Sequence, residues 1–303
     1  MTRINVVQFA ALAVIWGSSY TFIKVAGGGL TPAQLVLTRV VLGALVLYAV
    51  LRATGGRLPK FGVVWGHIAV VATLGMVAPF LLLAWGEQRT SAAMAGVLIA
   101  ATPLLTLAAA TAALSTERAT PRKAVGFGLG FVGVVLVIGP WASEAGSIGG
   151  QLAVLAAAVC YALQTVYVRK MLAQRSIPPL VSSTSQVLMA VVLQGIITPF
   201  FAWRTPHLSL GVVASIVLLG AVGTGVAYLL YFRLITDLGA SNASAVNYFV
   251  PVTAVLVSLV TLGEPITWNM VVGTLIVLFG FAYAENRLGR KKVVAPAPAA
   301  AAE

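Results

Sequence analysis

A chain of 303 residues that is 60% hydrophobic and only 9% charged, with a mean hydropathy of +1.00, is excluded from the water-soluble class, where about a quarter of residues carry charge. The net charge of +12 would point to nucleic acid if it formed a patch on a soluble fold, but here the basic residues punctuate apolar runs. A single cysteine, Cys160, rules out an intramolecular disulfide and a thiolate metal cluster.

Nine runs carry no charge (4–23, 61–86, 90–116, 124–143, 145–168, 176–203, 205–232, 238–263 and 265–284), and a tenth, 25–51, is interrupted only by Arg39. Each is near or above the ~20 residues a helix needs to cross a bilayer. The expectation is an all-α integral membrane protein with ten transmembrane helices.

Helix 1 (5–25) carries Trp16-Gly17-Ser18-Ser19-Tyr20 and ends at Lys24. It lacks a small-residue cleavage pattern and reads as a retained helix. Trp16, Tyr20 and Lys24 recur every four residues and form one stripe with Ser19 beside it; Trp16 is too deep for an interfacial belt, so this stripe is a candidate cavity face. Gly27-Gly28-Gly29 breaks the helix, and Thr31-Pro32 starts helix 2, which ends at Arg52. Arg39 lies about two turns inside, roughly 10 Å along the axis. A charge at that depth costs on the order of 2.5–3.5 kcal/mol and needs a partner, for which a backbone carbonyl or lipid headgroup is expected ahead of a substrate carboxylate.

Helix 3 (62–85) contains Pro79, and helix 4 (91–114) contains Met94 and Pro103. Helix 5 runs from Thr120-Pro121 to Gly139-Pro140; its glycines 126, 128 and 130 imitate a nucleotide loop, but no strand precedes them and helix packing is expected. Helix 6 (150–168) offers Tyr161 and Gln164. Helix 7 (179–201) has a polar ladder, Ser182 to Gln186, expected to bond between helices. Helix 8 (208–232) offers Tyr228 and Tyr231, helix 9 (241–262) Asn247, Tyr248 and Pro251, and helix 10 covers 267–284. The Asn242-Ala243-Ser244 sequon begins a membrane helix and is discounted as a glycosylation site. Residues 293–303, rich in Ala and Pro, read as a disordered cytoplasmic tail.

The chain is built twice. Glu117, Thr120, Gly126 and Gly133 are separated by the same steps as Glu264, Thr267, Gly273 and Gly280, and Pro103 matches Pro251. Leu74-Gly75 matches Leu219-Gly220. Two repeats follow, 1–140 and 141–292, of five helices each. Five is odd, so the second copy enters the membrane from the opposite side. With the N-terminus inside, fifteen of the nineteen Lys and Arg fall on the inner side, which places both termini in the cytoplasm and the protein in the inner membrane. Inverted repeats are a recurring plan of secondary transporters, with the solute held at the seam near mid-membrane.

Trp16-Gly17-Ser18-Ser19 with Lys24, then Pro32 and Arg39, resemble the start of an EamA-type repeat of the drug/metabolite transporter superfamily. Pro103, Glu117, Gly126 and Gly133, with Pro251, Glu264, Gly273 and Gly280, continue the resemblance over essentially the whole chain except the tail. The second repeat departs from the pattern in having Tyr161 where Trp is usual and no counterpart of Arg39. The resemblance implies two inverted five-helix repeats around a cavity lined mainly by helices 1, 3, 4, 6, 8 and 9, with helices 2, 5, 7 and 10 peripheral. It also implies movement of small metabolites; one branch similar in length and layout exports aromatic amino acids.

The candidate substrate-binding set is Trp16, Ser19, Tyr20, Pro79, Met94, Tyr161, Gln164, Tyr228, Tyr231, Asn247 and Tyr248, with Pro103 and Pro251 as hinges. Glu117 and Glu264 are expected to cap their own helices. The seven acids fall at predicted helix ends, loops or the tail, so no buried carboxylate switch is expected, and transport is read as gradient-driven export or exchange. The function expected is alternating-access transport of a small amphipathic metabolite, an aromatic or neutral amino acid first and another metabolite or drug second. Two histidines and scattered acids form no catalytic constellation, which argues against a membrane enzyme. No metal and no cofactor are expected; the partners are a small-molecule substrate and membrane lipids, and the assembly a monomer or weak dimer.

Overall fold

The computed structural model describes residues 2–114, 117–118, 120–139, 141, 147–172, 175, 177–201, 203–239 and 243–285. The expected tail 293–303, the repeat boundary at Pro140, the start of helix 9 at Ser241 and the sequon's Asn242 lie outside the described residues.

Among the described residues ten apolar helical segments follow one another: α1 (Arg3–Gly27), α2 (Pro32–Ala53), α3 (Val63–Glu87), α4 (Ala92–Ala113), α5 (Pro121–Ile138), α6 (Ile148–Leu172), α7 (Pro179–Phe200), α8 (Leu210–Leu238), α9 (Val250–Leu262) and α10 (Trp268–Ala284). The first eight are long and apolar enough to cross a membrane on those grounds alone, and the last two are shorter. A 3-10 turn, Ser244–Tyr248, precedes α9. Local chemistry sets the starts. Thr31 accepts from the Gln34 backbone N–H while Gln34 Oε1 accepts from the Thr31 N–H at 2.9 Å, and Pro32 occupies the first turn. Phe131, Val132, Leu275 and Phe279 leave α5 and α10 exposed, the apolar surface a lipid environment requires.

The inversion is visible where α5 meets α10. A Cβ built on Gly126 would lie 2.6 Å from the Gly280 carbonyl oxygen, and one on Gly133 would lie 2.8 Å from that of Gly273. The helices therefore run antiparallel, with backbones too close for any side chain. Under the duplication Gly126 corresponds to Gly273 and Gly133 to Gly280, so each contact is the image of the other. That reciprocity is what a two-fold axis in the membrane plane produces.

Two pairs of irregular turns occupy matched positions in the repeats. A π-turn, Thr73–Val77, interrupts α3, and a longer one, Leu218–Val226, interrupts α8 at the matching position. Helical hydrogen bonding in α4 lapses between Ile99 and Thr102, just before Pro103, and Phe249 forms a turn just before Pro251. Proline lacks an N–H and crowds the preceding turn, so regular helix begins only one residue before each, at Thr102 and Val250.

The α7 ladder does not bond between helices. Ser183, Thr184 and Ser185 donate to carbonyls three or four residues back on their own helix, and Gln186 donates to Ser182. A short hydroxyl reaches its own helix's carbonyl more readily than a neighbour's.

Candidate functional site

The broken helices enclose a cavity of about 500 Å³. Of the residues singled out above, Trp16, Ser19, Tyr20, Pro103, Tyr161, Gln164, Tyr228, Tyr231, Asn247, Tyr248 and Pro251 all line it. Their helices, α1, α4, α6, α8 and α9, come from both repeats. The Trp16 and Tyr231 rings meet at 5.3 Å between centroids, and Tyr248 meets Phe281 of α10 at 5.7 Å. Ser19 donates to the Ile15 carbonyl at 3.0 Å, so it offers the cavity lone pairs. Gly75 makes room for Gln164, whose Cγ would lie 3.0 Å from a Cβ there.

Pro79 and Met94 are corrections: neither is among the lining residues. The π-turn before Pro79 inserts one residue and rotates the following turn, so Phe80 and Leu83 take the cavity face. Met94 belongs to the opening turns of α4, buried throughout from Ala92 to Leu98, and the lining begins at Ile99.

Arg39 is a second correction, because α2 does not keep it peripheral. The side chain lines the cavity at 7% exposure, its Nε donates to Thr224 Oγ1 at 3.2 Å, and its guanidinium lies 3.8 Å from the Phe80 ring centroid. The partners are a threonine of α8 and an aromatic face of α3, neither a helix-end carbonyl nor a headgroup. Phe80 and Phe281 were missed by sequence reasoning. A lone phenylalanine in an apolar run gives no signal of the direction it faces.

The two ends of the cavity differ. At one end Glu117, Arg169 and Glu285 line the opening. Glu117 bonds Lys123 at 2.9 Å and Arg169 at 3.5 Å, and the Lys123 hydrogen bond, joined by both positive charges, holds its carboxyl below the usual glutamate range. The opposite end is closed. Lys24 Nζ donates to the Glu87 and Thr90 carbonyls, each at 2.6 Å. Glu264 accepts from the Ala92 and Ala93 N–H groups at 3.0 and 2.9 Å, and Arg204 donates to the Gly28 carbonyl at 2.9 Å.

These contacts revise three expectations. Lys24 closes one end and is absent from the cavity lining. The glutamates do not cap their own helices: Thr120 caps α5, Glu117 holds cations, and Glu264 caps α4 across the seam. Gly263, at a φ of 65°, ends α9 in the left-handed region and turns the chain toward that contact. Glu87 ends α3 as expected, yet it is fully buried at 0% exposure, beneath a turn whose carbonyl accepts from Lys24.

The sequence model of the EamA-like transporter family matches residues 4–139 and again 148–284. The chain belongs to the EamA-like transporter family. It is a transporter of the drug/metabolite superfamily and a multi-pass membrane protein, with no enzymatic role. It is 29% identical to an uncharacterized transporter of Archaeoglobus fulgidus over 90% of this chain and 96% of the relative. It is 27% identical to the uncharacterized transporter YyaM of Bacillus subtilis over 94% and 95%. A probable terminal-alkyne amino-acid exporter of Streptantibioticus cattleyicolor is 28% identical over 92% of this chain and 93% of its own. One crystal structure shares the transporter's fold with a TM-score of 0.64 at 21% identity, covering 93% of this chain and 97% of that one.

Proposed function

We propose that this transporter exports or exchanges a small amphipathic metabolite, an amino acid with a neutral or aromatic side chain, by alternating access. The observation that carries the reading is the cavity itself: about 500 Å³, within the 300–1,000 Å³ of small-molecule sites, walled by aromatic rings and closed at one end only. The amino-acid exporter among its relatives supports the substrate class. Paired helix breaks at Pro103 and Pro251 supply hinges about which repeats 1–140 and 141–292 rock. Basic residues cluster toward the open end, so by the positive-inside rule that end faces the cytoplasm of an inner membrane, with both termini on the same side. The conformation is then inward-open. Residues of one chain complete the cavity, so a monomer suffices.

Counterflow in proteoliposomes against labelled amino acids, sugars and organic cations tests this. Saturable accumulation of neutral or aromatic amino acids is the expected result. Exchange of sugars or cations alone, or of nothing, refutes the substrate class.

A further inference from the structure

The cavity is lined by a positive charge, that of Arg39, which is in no ion pair among the described residues. Among the described residues the ion pairs are Lys123–Glu117, Arg169–Glu117 and Arg233–Asp237, and none includes Arg39. Glu87 is within electrostatic reach, yet neither of its oxygens has a hydrogen-bond partner among the described residues. The other arginine lining the cavity, Arg169, is at the open end with its side chain half exposed.

The Arg39 guanidinium is held in a fixed orientation. Its flat face lies on Phe80 and its Nε is spent on Thr224 Oγ1. That hydroxyl donates in turn to the Leu219 carbonyl at 3.0 Å within the α8 π-turn, so it meets Arg39 as an acceptor. Among the described residues neither Nη group makes a hydrogen bond, and both remain for the cavity. Around it stand Tyr20 of α1, Tyr161 of α6 and Tyr228 of α8, all lining the cavity and none bonded through its hydroxyl to a described residue. Polar groups thus converge from four helices while Trp16 and Tyr231 form an aromatic wall. A planar fork of two N–H donors matches a carboxylate, which accepts two parallel hydrogen bonds from it. Burying such a charge without a counter-ion is unfavourable, and a carboxylate solute supplies one.

We propose that Arg39 is the carboxylate-binding residue of the cavity, so that the transported solute carries one carboxylate and an apolar body. The proposal rests on the reading of this cavity as the substrate site and narrows its substrates: amino acids and aryl-alkanoates bind, and their amides and decarboxylated amines do not.

The test uses the full chain in lipid nanodiscs, with phenylglyoxal modification of Arg39 followed by peptide mass spectrometry and exposed Arg57 as control. Saturating 3-phenylpropanoate slows modification of Arg39 at least tenfold, while 3-phenylpropanamide and phenethylamine leave it within twofold and Arg57 is unaffected. Equal protection by acid and amide, or by neither, overturns the proposal. A second measurement follows counterflow of labelled L-phenylalanine. Arg39→Gln lowers it at least tenfold, and Arg39→Lys, which keeps the charge without the fork, retains more activity with a raised KM. Wild-type rates in Arg39→Gln overturn the proposal. If the wild type moves no amino acid, the transport reading fails by itself, and the protection experiment still judges Arg39.

Discussion

Replacing Glu264 by Gln weakens the closed end of the cavity by an amount the geometry sets. The carboxylate takes the Ala92 and Ala93 N–H groups at 3.0 and 2.9 Å, and Ser91 Oγ takes that of Met94 at 3.0 Å. Together they satisfy three of the four donors a helix start leaves open. A hydrogen bond to a charged acceptor contributes about 1.5–3 kcal/mol and a neutral one about 1 kcal/mol. Glu264 is half-buried, so the lower figures apply. Exchanging two charged bonds for one neutral bond then removes about 2 kcal/mol, or roughly 30-fold in the closed-to-open ratio. The assay starts from a Cys160→Ala background and places one cysteine at Leu83, a lining residue only 3% exposed. Labelling by an impermeant maleimide applied from the Glu264 face is expected to accelerate about 30-fold in Glu264→Gln. An unchanged rate would refute the role of this contact as a closure.

Further outcomes follow from packing and charge. Gly133→Ala puts a methyl 2.8 Å from the Gly273 carbonyl oxygen, and such overpacking costs about 1–3 kcal/mol; thermal unfolding in detergent should show the loss. In contrast, Gly128→Ala meets nothing within 4 Å and should be neutral or slightly stabilising, since alanine is the better helix former. Trp16→Ala removes the ring that meets Tyr231; an aromatic pair is worth about 0.5–1.5 kcal/mol, so the KM for an aromatic amino acid should rise up to about tenfold, read by counterflow. The Glu117 carboxyl is held low by Lys123, so its bridges contribute stability above the ordinary glutamate range and lose it as pH falls through the depressed value. Thermal melts of wild type against Glu117→Gln should therefore converge on acidification and separate near neutrality.

Much of the architecture was legible because it is written in short-range pattern. Run length reports a membrane span directly, and matched spacing after Glu117 and Glu264 reports a repeat with an odd number of helices. The glycines were legible as packing faces, but the pairing of Gly126 with Gly280 came from the structure. Aromatic residues at helical spacing on α1, α6 and α8 likewise announced the cavity walls. Arg39 and Glu87 were visible as charges, but their surroundings were not. The partner of Arg39 is 185 residues away and those of Glu264 are 172 and 171 residues away, and no local periodicity encodes such a pairing. Pro79 and Met94 failed for a related reason: a π-turn and a buried helix start shifted which face looks inward.

By itself, then, the order of residues determined the membrane class, the ten segments and their duplication in opposite senses, because each depends on the spacing of charge, glycine and proline along the chain. Only the tertiary structure decided that Arg39 faces the cavity, that Glu264 caps the helix of the other repeat, and that one end is closed while the other is lined by Glu117 and Arg169. Those depend on which atoms of distant helices come within about 3 Å of each other, a relation that packing alone creates.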